Sequence, residues 1–210
     1  MAHPPRALSL ALILLAVAGE PLHAQRRVQL EVVPPTPLTR APVVTTTSLF
    51  GDSDMRDLVR SGFPASMRFR LELWRAGGLF NDLEGQQDWE MIIQYDPSGQ
   101  RYRVAQRQNG RLEEVGSFAT LSTAEAMLER PLRVTLLPER EGVRYYYQLV
   151  LNVEALSVSD MDQLERWLRG ARGGTAVAAL GSGVRTLMLR MLGGEKRHYE
   201  KRSPTFTSER

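Results

Sequence analysis

The chain has 210 residues, no cysteine and three histidines, and its 27 basic and 24 acidic side chains give a net charge of +3. The lack of cysteine excludes disulfides, thiolate metal sites and cysteine nucleophiles. The small net charge and the lack of a recognisable nucleic-acid-binding motif argue against nucleic acid as a partner.

Residues 1–24 have the pattern of a secretory signal peptide. Arg6 precedes an apolar run over residues 7–18, which is shorter than the roughly 20 residues needed to cross a hydrocarbon core. Small residues permit cleavage after Ala18 or after Ala24, and an uncleaved anchor is the alternative. The sequence therefore predicts an exported protein of the bacterial periplasm or cell envelope.

Removal of residues 1–24 leaves His198 as the last histidine of the chain. It lies in a polar C-terminal stretch, which is a poor position for a pre-organised catalytic base or a metal ligand. We therefore expect no catalytic, metal-binding or cofactor-binding residue.

The N-terminal half predicts strands and one short helix. We expect a strand over 28–32, a second over 41–47 that pairs at a sheet edge, and a helix over 52–60. The cleanest alternation covers 66–75, where apolar and polar residues take opposite faces of a strand with one wet face. The apolar face holds Met67, Phe69, Leu71 and Leu73, and the other holds Arg68, Arg70, Glu72 and Trp74.

Turn signals divide the next part of the chain into hairpins. A glycine-rich and acidic loop is expected over 77–88, a type I turn over 96–99, and a two-residue connection at Asn109-Gly110. Ser122 and Glu125 form a predicted capping box at the start of a short helix.

A further strand is expected over 132–136, followed by the longest alternating segment, over 143–153. We expect this segment to be the central or longest strand of the sheet. Tyr145 and Tyr147 share its apolar face and are predicted to be core residues, whereas Tyr146 takes the opposite face. A helix over 159–170 then ends the predicted globular body.

The C-terminal stretch, residues 171–210, is predicted to form an amphipathic helix over 175–192 and a polar, loosely ordered tail over 195–210. Ten basic and six acidic residues lie between 160 and 210. The helix would cover one end of the sheet, lie on an anionic membrane surface or bind in the groove of an envelope partner protein. The candidate contact residues are Val177, Leu180, Val184, Leu187, Met188, Met191, Arg185 and Arg190.

The order of elements from Asp54 to Gly170 resembles the bacterial domain-of-unknown-function family 4390. The matching pieces are the small helix before Ser61-Gly62-Phe63-Pro64, the strand 69–74, the Tyr95 strand, residues 118–121 before a capped helix, and Tyr145-Tyr146-Tyr147. Members of that family are exported proteins with no established activity. The resemblance therefore implies an envelope location and carries over no catalytic residue.

Two groups of residues on the strands are candidates for function. Trp74, Arg70, Tyr146 and Arg144 would form an exposed aromatic and basic surface if their strands are neighbours. Asp82, Glu84, Asp88 and Glu90 crowd the predicted 82–90 loop, where a pair of carboxylates is the requirement for a glycosidic hydrolase. The spacing of these acids does not match a calcium-binding loop.

The predicted fold is mainly β, an antiparallel sandwich-like meander of about six to eight strands with short capped helices and a C-terminal helical extension. The predicted organisation is a signal peptide (1–24), a β-rich envelope domain (25–170) and the helix with its basic tail (171–210). The favoured function is a non-catalytic binding or assembly module, and the alternative is a hydrolase that uses carboxylates of the 82–90 loop.

Overall fold

The computed structural model describes residues 27–77, 80–155 and 197–208, which form a mainly β fold of antiparallel sheets with two short helices. The predicted fold class is confirmed. The strands are β1 (Gln29–Val33), β2 (Val43–Thr47), β3 (Ala65–Arg75), β4 (Asp82–Asp96), β5 (Arg101–Gln108), β6 (Arg111–Phe118), β7 (Leu132–Arg133), β8 (Arg144–Ala155), β9 (Arg197–Arg202) and β10 (Phe206–Thr207). The helices are α1 (Ser53–Arg60) and α2 (Leu121–Leu128).

The strands form two sheets. The small sheet has the order β1-β2-β7, so β2 lies in its middle and not at an edge as predicted. The large sheet has the order β10-β8-β3-β4-β5-β6, and β9 pairs with β8 beside β10. From β3 to β6 the large sheet is a meander, because each strand pairs with the next one in the chain.

The core lies between the large sheet on one side and the small sheet with the two helices on the other. Because side chains alternate between the two faces of a strand, every second side chain of β3 and β8 points toward this core. Tyr145 and Tyr147 are fully buried there, as predicted. The inner face of the large sheet includes Met67, Leu71, Leu73, Ile93, Val104, Leu149 and Leu151, and the covering elements contribute Leu30, Val32, Val44, Met55, Val59, Leu121 and Ala124.

The start of α2 differs from the sequence prediction. Its N-cap is Thr120, whose side chain accepts a hydrogen bond from the backbone of Thr123, and Thr123 caps Thr120 in return. Glu125, the predicted partner of Ser122, instead accepts a hydrogen bond from Phe50 N at 3.0 Å. The glutamate therefore ties α2 to the segment before α1 and does not cap its own helix.

The predicted connection at Asn109-Gly110 is confirmed, and residues 97–100 turn the chain from β4 to β5, where Asp96 Oδ1 accepts hydrogen bonds from Ser98 N and Gly99 N. The predicted acidic loop over 77–88 is wrong from residue 82 onward. Asn109 and Gly110 both have positive φ angles, 51° and 76°, and they join β5 to β6 directly. Residues 82–88 belong to β4, because they pair with β3 from Arg70 to Arg75. The expected strand over 132–136 is also shorter than predicted, since β7 pairs with β2 only at Leu132 and Arg133.

The predicted loosely ordered tail is wrong for residues 197–208, which return to the large sheet. β9 pairs with β8 from Val153↔Arg197 to Gln148↔Arg202. The hydroxyl of Ser203 then accepts a hydrogen bond from Tyr147 N at 2.9 Å, and β10 resumes the pairing at Tyr145. The predicted helices over 159–170 and 175–192, and the predicted signal peptide over 1–24, lie outside the described residues.

Candidate functional site

The outer face of the large sheet, which points away from the core, carries rows of polar and charged side chains. These rows follow from the register of the strands. Arg68 of β3 lies opposite Glu90 of β4 and Asn152 of β8, and Arg70 lies opposite Asp88. The solvent-facing side predicted for β3 is therefore the middle of a polar surface that continues onto the neighbouring strands β4 and β8.

A network of ion pairs crosses four strands of this face. Glu90 accepts hydrogen bonds from Ser66 Oγ at 2.5 Å, from Arg68 Nε at 3.3 Å and from Arg107 Nη1 at 2.8 Å. Arg68 also contacts Glu154 through Nη1 at 2.6 Å. Because the carboxylate of Glu90 is shared by two arginines, it holds both guanidinium groups in defined positions on β3 and β5.

A groove of about 490 Å³ runs across the outer face over this network. Its charged lining consists of Arg68, Arg70, Arg107, Glu72, Asp88 and Glu90, and its other lining residues include Gln108, Asn109, Val150 and Asn152. Arg70 donates through Nε to Asp88 Oδ1 at 2.8 Å. This hydrogen bond and the charge of Asp88 raise the pKa of the Arg70 guanidinium, which therefore stays protonated.

The predicted aromatic and basic surface lies beside the groove. Trp74 and Tyr146 stack on the outer face with ring centroids 6.3 Å apart and planes within 4° of parallel. Arg70 shares this face four positions before Trp74, and Arg144 is exposed at the start of β8.

The cation that covers the aromatic stack was not among the predicted residues. The guanidinium carbon of Arg202 lies 3.4 Å from the centroid of the Tyr146 ring. Tyr146 is consequently buried, with 5% of its surface exposed, and Trp74 donates through its indole nitrogen to Glu72 at 2.9 Å. Sequence reasoning missed Arg202 because it treated residues 195–210 as a tail; the alternation of Tyr199 with its charged neighbours was the available signal for β9.

The four candidate carboxylates of residues 82–90 lie on one strand, and each lies against an arginine of a neighbouring strand. Asp82 forms an ion pair with Arg75. Asp88 contacts Arg70, and Glu90 lies in the network described above. Glu84 Oε1 lies 3.9 Å from Arg75 Nη1, and the same carboxylate lies near Tyr145, whose phenol pKa is raised by burial and by this carboxylate.

His198 lies on β9 between two polar side chains. Its Nδ1 is 2.8 Å from Asn152 Oδ1, and its Nε2 is 2.7 Å from Glu200 Oε1. Arg197, the residue before His198, forms an ion pair with Asp52, the N-cap of α1. Burial acts to raise the pKa of Asp52, but the hydrogen bonds from Arg197 and from the α1 backbone hold that pKa below its usual value.

The candidate contact residues between Val177 and Met191 lie outside the described residues. Within the ranges 27–77, 80–155 and 197–208, neither helix has the length and apolar character needed to span a membrane. In the same ranges, no group of three or more histidine, aspartate or glutamate side chains is arranged to hold a metal ion.

Comparison with known proteins identifies no relative: no family model matches the chain, and no curated protein or solved structure matches it either. The resemblance to family 4390 stays a prediction from the residues quoted for it.

Proposed function

We propose that the protein is an exported, non-catalytic binding module of the bacterial envelope, and that its β-sandwich presents the segment 156–196 to a partner protein or an anionic membrane surface. The observation that carries the proposal is the register of β8 and β9. Val153 pairs with Arg197, so the chain leaves the large sheet and returns to it at one corner.

Antiparallel strands in register need only a connection of two to five residues. The connection here runs from residue 156 to residue 196, far beyond what the pairing of β8 and β9 requires. A long insertion at one corner leaves the pairing of the sheet intact, so such a segment is available for another task.

The sequence of the inserted segment favours a contact with an anionic or apolar surface. Its predicted helix combines an apolar stripe with Arg185 and Arg190, and Lys196 follows. Basic side chains near anionic headgroups each contribute about 1 kcal/mol of attraction. The ion pair between Arg197 and Asp52 ties the returning end of the segment to α1.

The hydrolase alternative has less support from the same residues. A glycosidic mechanism needs two carboxylates that face each other across a substrate site. Asp82, Asp88 and Glu90 instead face arginines of their own sheet, and Glu84 lies near Tyr145. These contacts are typical of residues that hold strands together.

The proposal is tested by fractionation of native envelopes with a salt wash. The full-length gene product is compared with a variant in which residues 157–195 are replaced by a short Asn-Gly turn, and with Arg185→Gln/Arg190→Gln. We expect the full-length chain to sediment with membranes and to be released by salt, the replacement variant to stay in the supernatant, and the double substitution to be released at lower salt. Binding to anionic vesicles separates a lipid surface from a partner protein. Equal distribution of all three forms would overturn the proposal.

A further inference from the structure

We propose that the outer-face groove binds an oxyanion, a carboxylate or phosphate group of a small ligand, through the guanidinium groups of Arg68, Arg70 and Arg107. The proposal goes beyond the contact proposed for the segment 156–196, because these three residues lie on β3 and β5. A test of the segment 156–196 therefore does not decide whether the groove binds an oxyanion.

The three guanidinium groups lie close together on the surface of the sheet. Arg68 and Arg107 bind the two oxygens of one carboxylate, Glu90. Arg68 and Arg70 are two positions apart on β3, so their side chains leave the same face of the strand roughly 7 Å apart. A small anion above Glu90 would be within reach of all three.

Burial differs between the positive and the negative members of the network. The side chains of Glu90 and Glu154 are 9% and 12% exposed, whereas those of Arg68 and Arg107 are 48% and 39% exposed. The carboxylates of Glu90 and Glu154 thus lie at the floor, whereas the guanidinium groups and the carboxylate of Asp88, which is 51% exposed, face the solvent. Above Glu90, a ligand that enters the groove meets the donors of Arg68 and Arg107 first, although the lining has no net charge.

The guanidinium groups of these arginines retain N–H donors that are available to a ligand. Among the described residues, Arg70 binds Asp88 through Nε alone, and Arg107 binds Glu90 through one terminal nitrogen. A guanidinium group has five N–H donors and no acceptor, so its remaining partners must be acceptors. Paired N–H donors match the geometry of carboxylate and phosphate oxygens, and the hydrogen bonds to Glu90 and Asp88 hold the groups in place before binding.

The experiment is a titration of the isotope-labelled, full-length mature protein with inorganic phosphate, with citrate and with phosphatidylglycerol vesicles at constant ionic strength. The readouts are the NMR signals of the arginine Nε–H groups and of the β3 and β5 backbone amides. We expect saturable shifts at Arg68, Arg70 and Arg107 with at least one of the two soluble anions. The double variant Arg70→Gln/Arg107→Gln should weaken binding at least about tenfold.

The matched control is Arg130→Gln/Arg133→Gln, which removes two exposed arginines of the α2–β7 region and changes the net charge equally. It should change the affinity less than about twofold. Arg70→Lys/Arg107→Lys keeps the charge but not the paired donors, so an intermediate affinity is expected; this variant also serves if the glutamine variant fails to fold. The proposal is overturned by an absence of saturable shifts with both anions, by shifts spread over all exposed arginines, by an equal loss in the control, or by binding to vesicles alone.

Discussion

Two buried tyrosines of β8 share the inner face, but their hydroxyl groups have different surroundings. Tyr147 Oη donates to the carbonyl oxygen of Leu136 at 2.8 Å. Burial raises the pKa of Tyr147, so this phenol remains a protonated donor. In the described part of the chain, Tyr145 Oη and Glu84 Oε2 have no hydrogen-bond partner. The two hydroxyls therefore make different contributions to stability.

We expect Tyr147→Phe to lower the free energy of unfolding by about 1–2 kcal/mol, because it leaves the partly buried carbonyl of Leu136 without its donor. Tyr145→Phe removes a buried hydroxyl that has no partner, so the expected change lies between zero and a gain of about 1 kcal/mol. Urea unfolding of the two variants measures the difference directly, and each serves as the control for the other. An equal loss in both would mean that the Tyr145 hydroxyl has a partner, such as a water shared with Glu84.

Sequence alternation identifies the side of a strand on which a residue lies, but not its neighbour across the strand. It placed Trp74 and Arg70 on the outer face of β3 and Tyr146 on the outer face of β8, as the structure has them. It could not place Arg107 or Arg202 beside them, because cross-strand neighbours depend on register. Register is set by pairing with other strands, which a local pattern does not contain.

At the scale of elements, the start of α2 provides a direct comparison between local pattern and tertiary structure. The sequence offers Ser122 with Glu125 as a capping box, but the structure uses Thr120 with Thr123. Glu125 does not cap its own helix, because its side chain accepts a hydrogen bond from the backbone amide of Phe50. Glu129 accepts from Leu49 N in the same way, at 3.1 Å. Tertiary hydrogen bonds to the segment before α1 thus determine which residues cap the start of α2.

Thr120→Ala should destabilise the protein by about 1 kcal/mol, because it removes the side chain that accepts from the Thr123 amide. Ser122→Ala should change stability by less than about 0.5 kcal/mol, since the Ser122 side chain is exposed and its hydrogen bond joins it to the neighbouring Thr120 hydroxyl. Thr120→Ser keeps the accepting oxygen and should recover most of the loss. Thermal unfolding measured by circular dichroism ranks the three, and a larger effect at Ser122 than at Thr120 would contradict the assignment.

Acidic and glycine-containing stretches are where the sequence analysis underestimated β structure. Residues 82–88 have the composition of a loop, yet they extend β4, because arginines of β3 lie opposite or beside their carboxylates. The last residues were also predicted to be a tail, although Tyr199 and Phe206 pack against the core. Favourable cross-strand charge pairs and a few apolar contacts outweigh weak local propensity in both places.

At the scale of the whole molecule, the C-terminal strands make the fold depend on residues that lie far from β8 in sequence. β9 and β10 cover the hydrogen-bonding edge of β8, and Ser203 bridges the interruption between them. Phe206 stacks on Tyr147 with ring centroids 5.4 Å apart. Without these strands, the edge of β8 and part of the core would be open to solvent.

A chain that ends after Gly170 should therefore lose the fold, whereas a chain with residues 157–195 replaced by a short Asn-Gly turn should keep it. The truncation leaves the twelve-residue β8 as an open edge strand that pairs only with β3, which favours aggregation. The replacement keeps β9 and β10 in register and shortens the loop that must close, which lowers the entropic cost of folding. Circular dichroism, gel filtration and thermal unfolding of the two chains measure the outcome. A soluble, cooperatively folded truncation would show that the sandwich ends at β8 and that the C-terminal strands are an accessory to it.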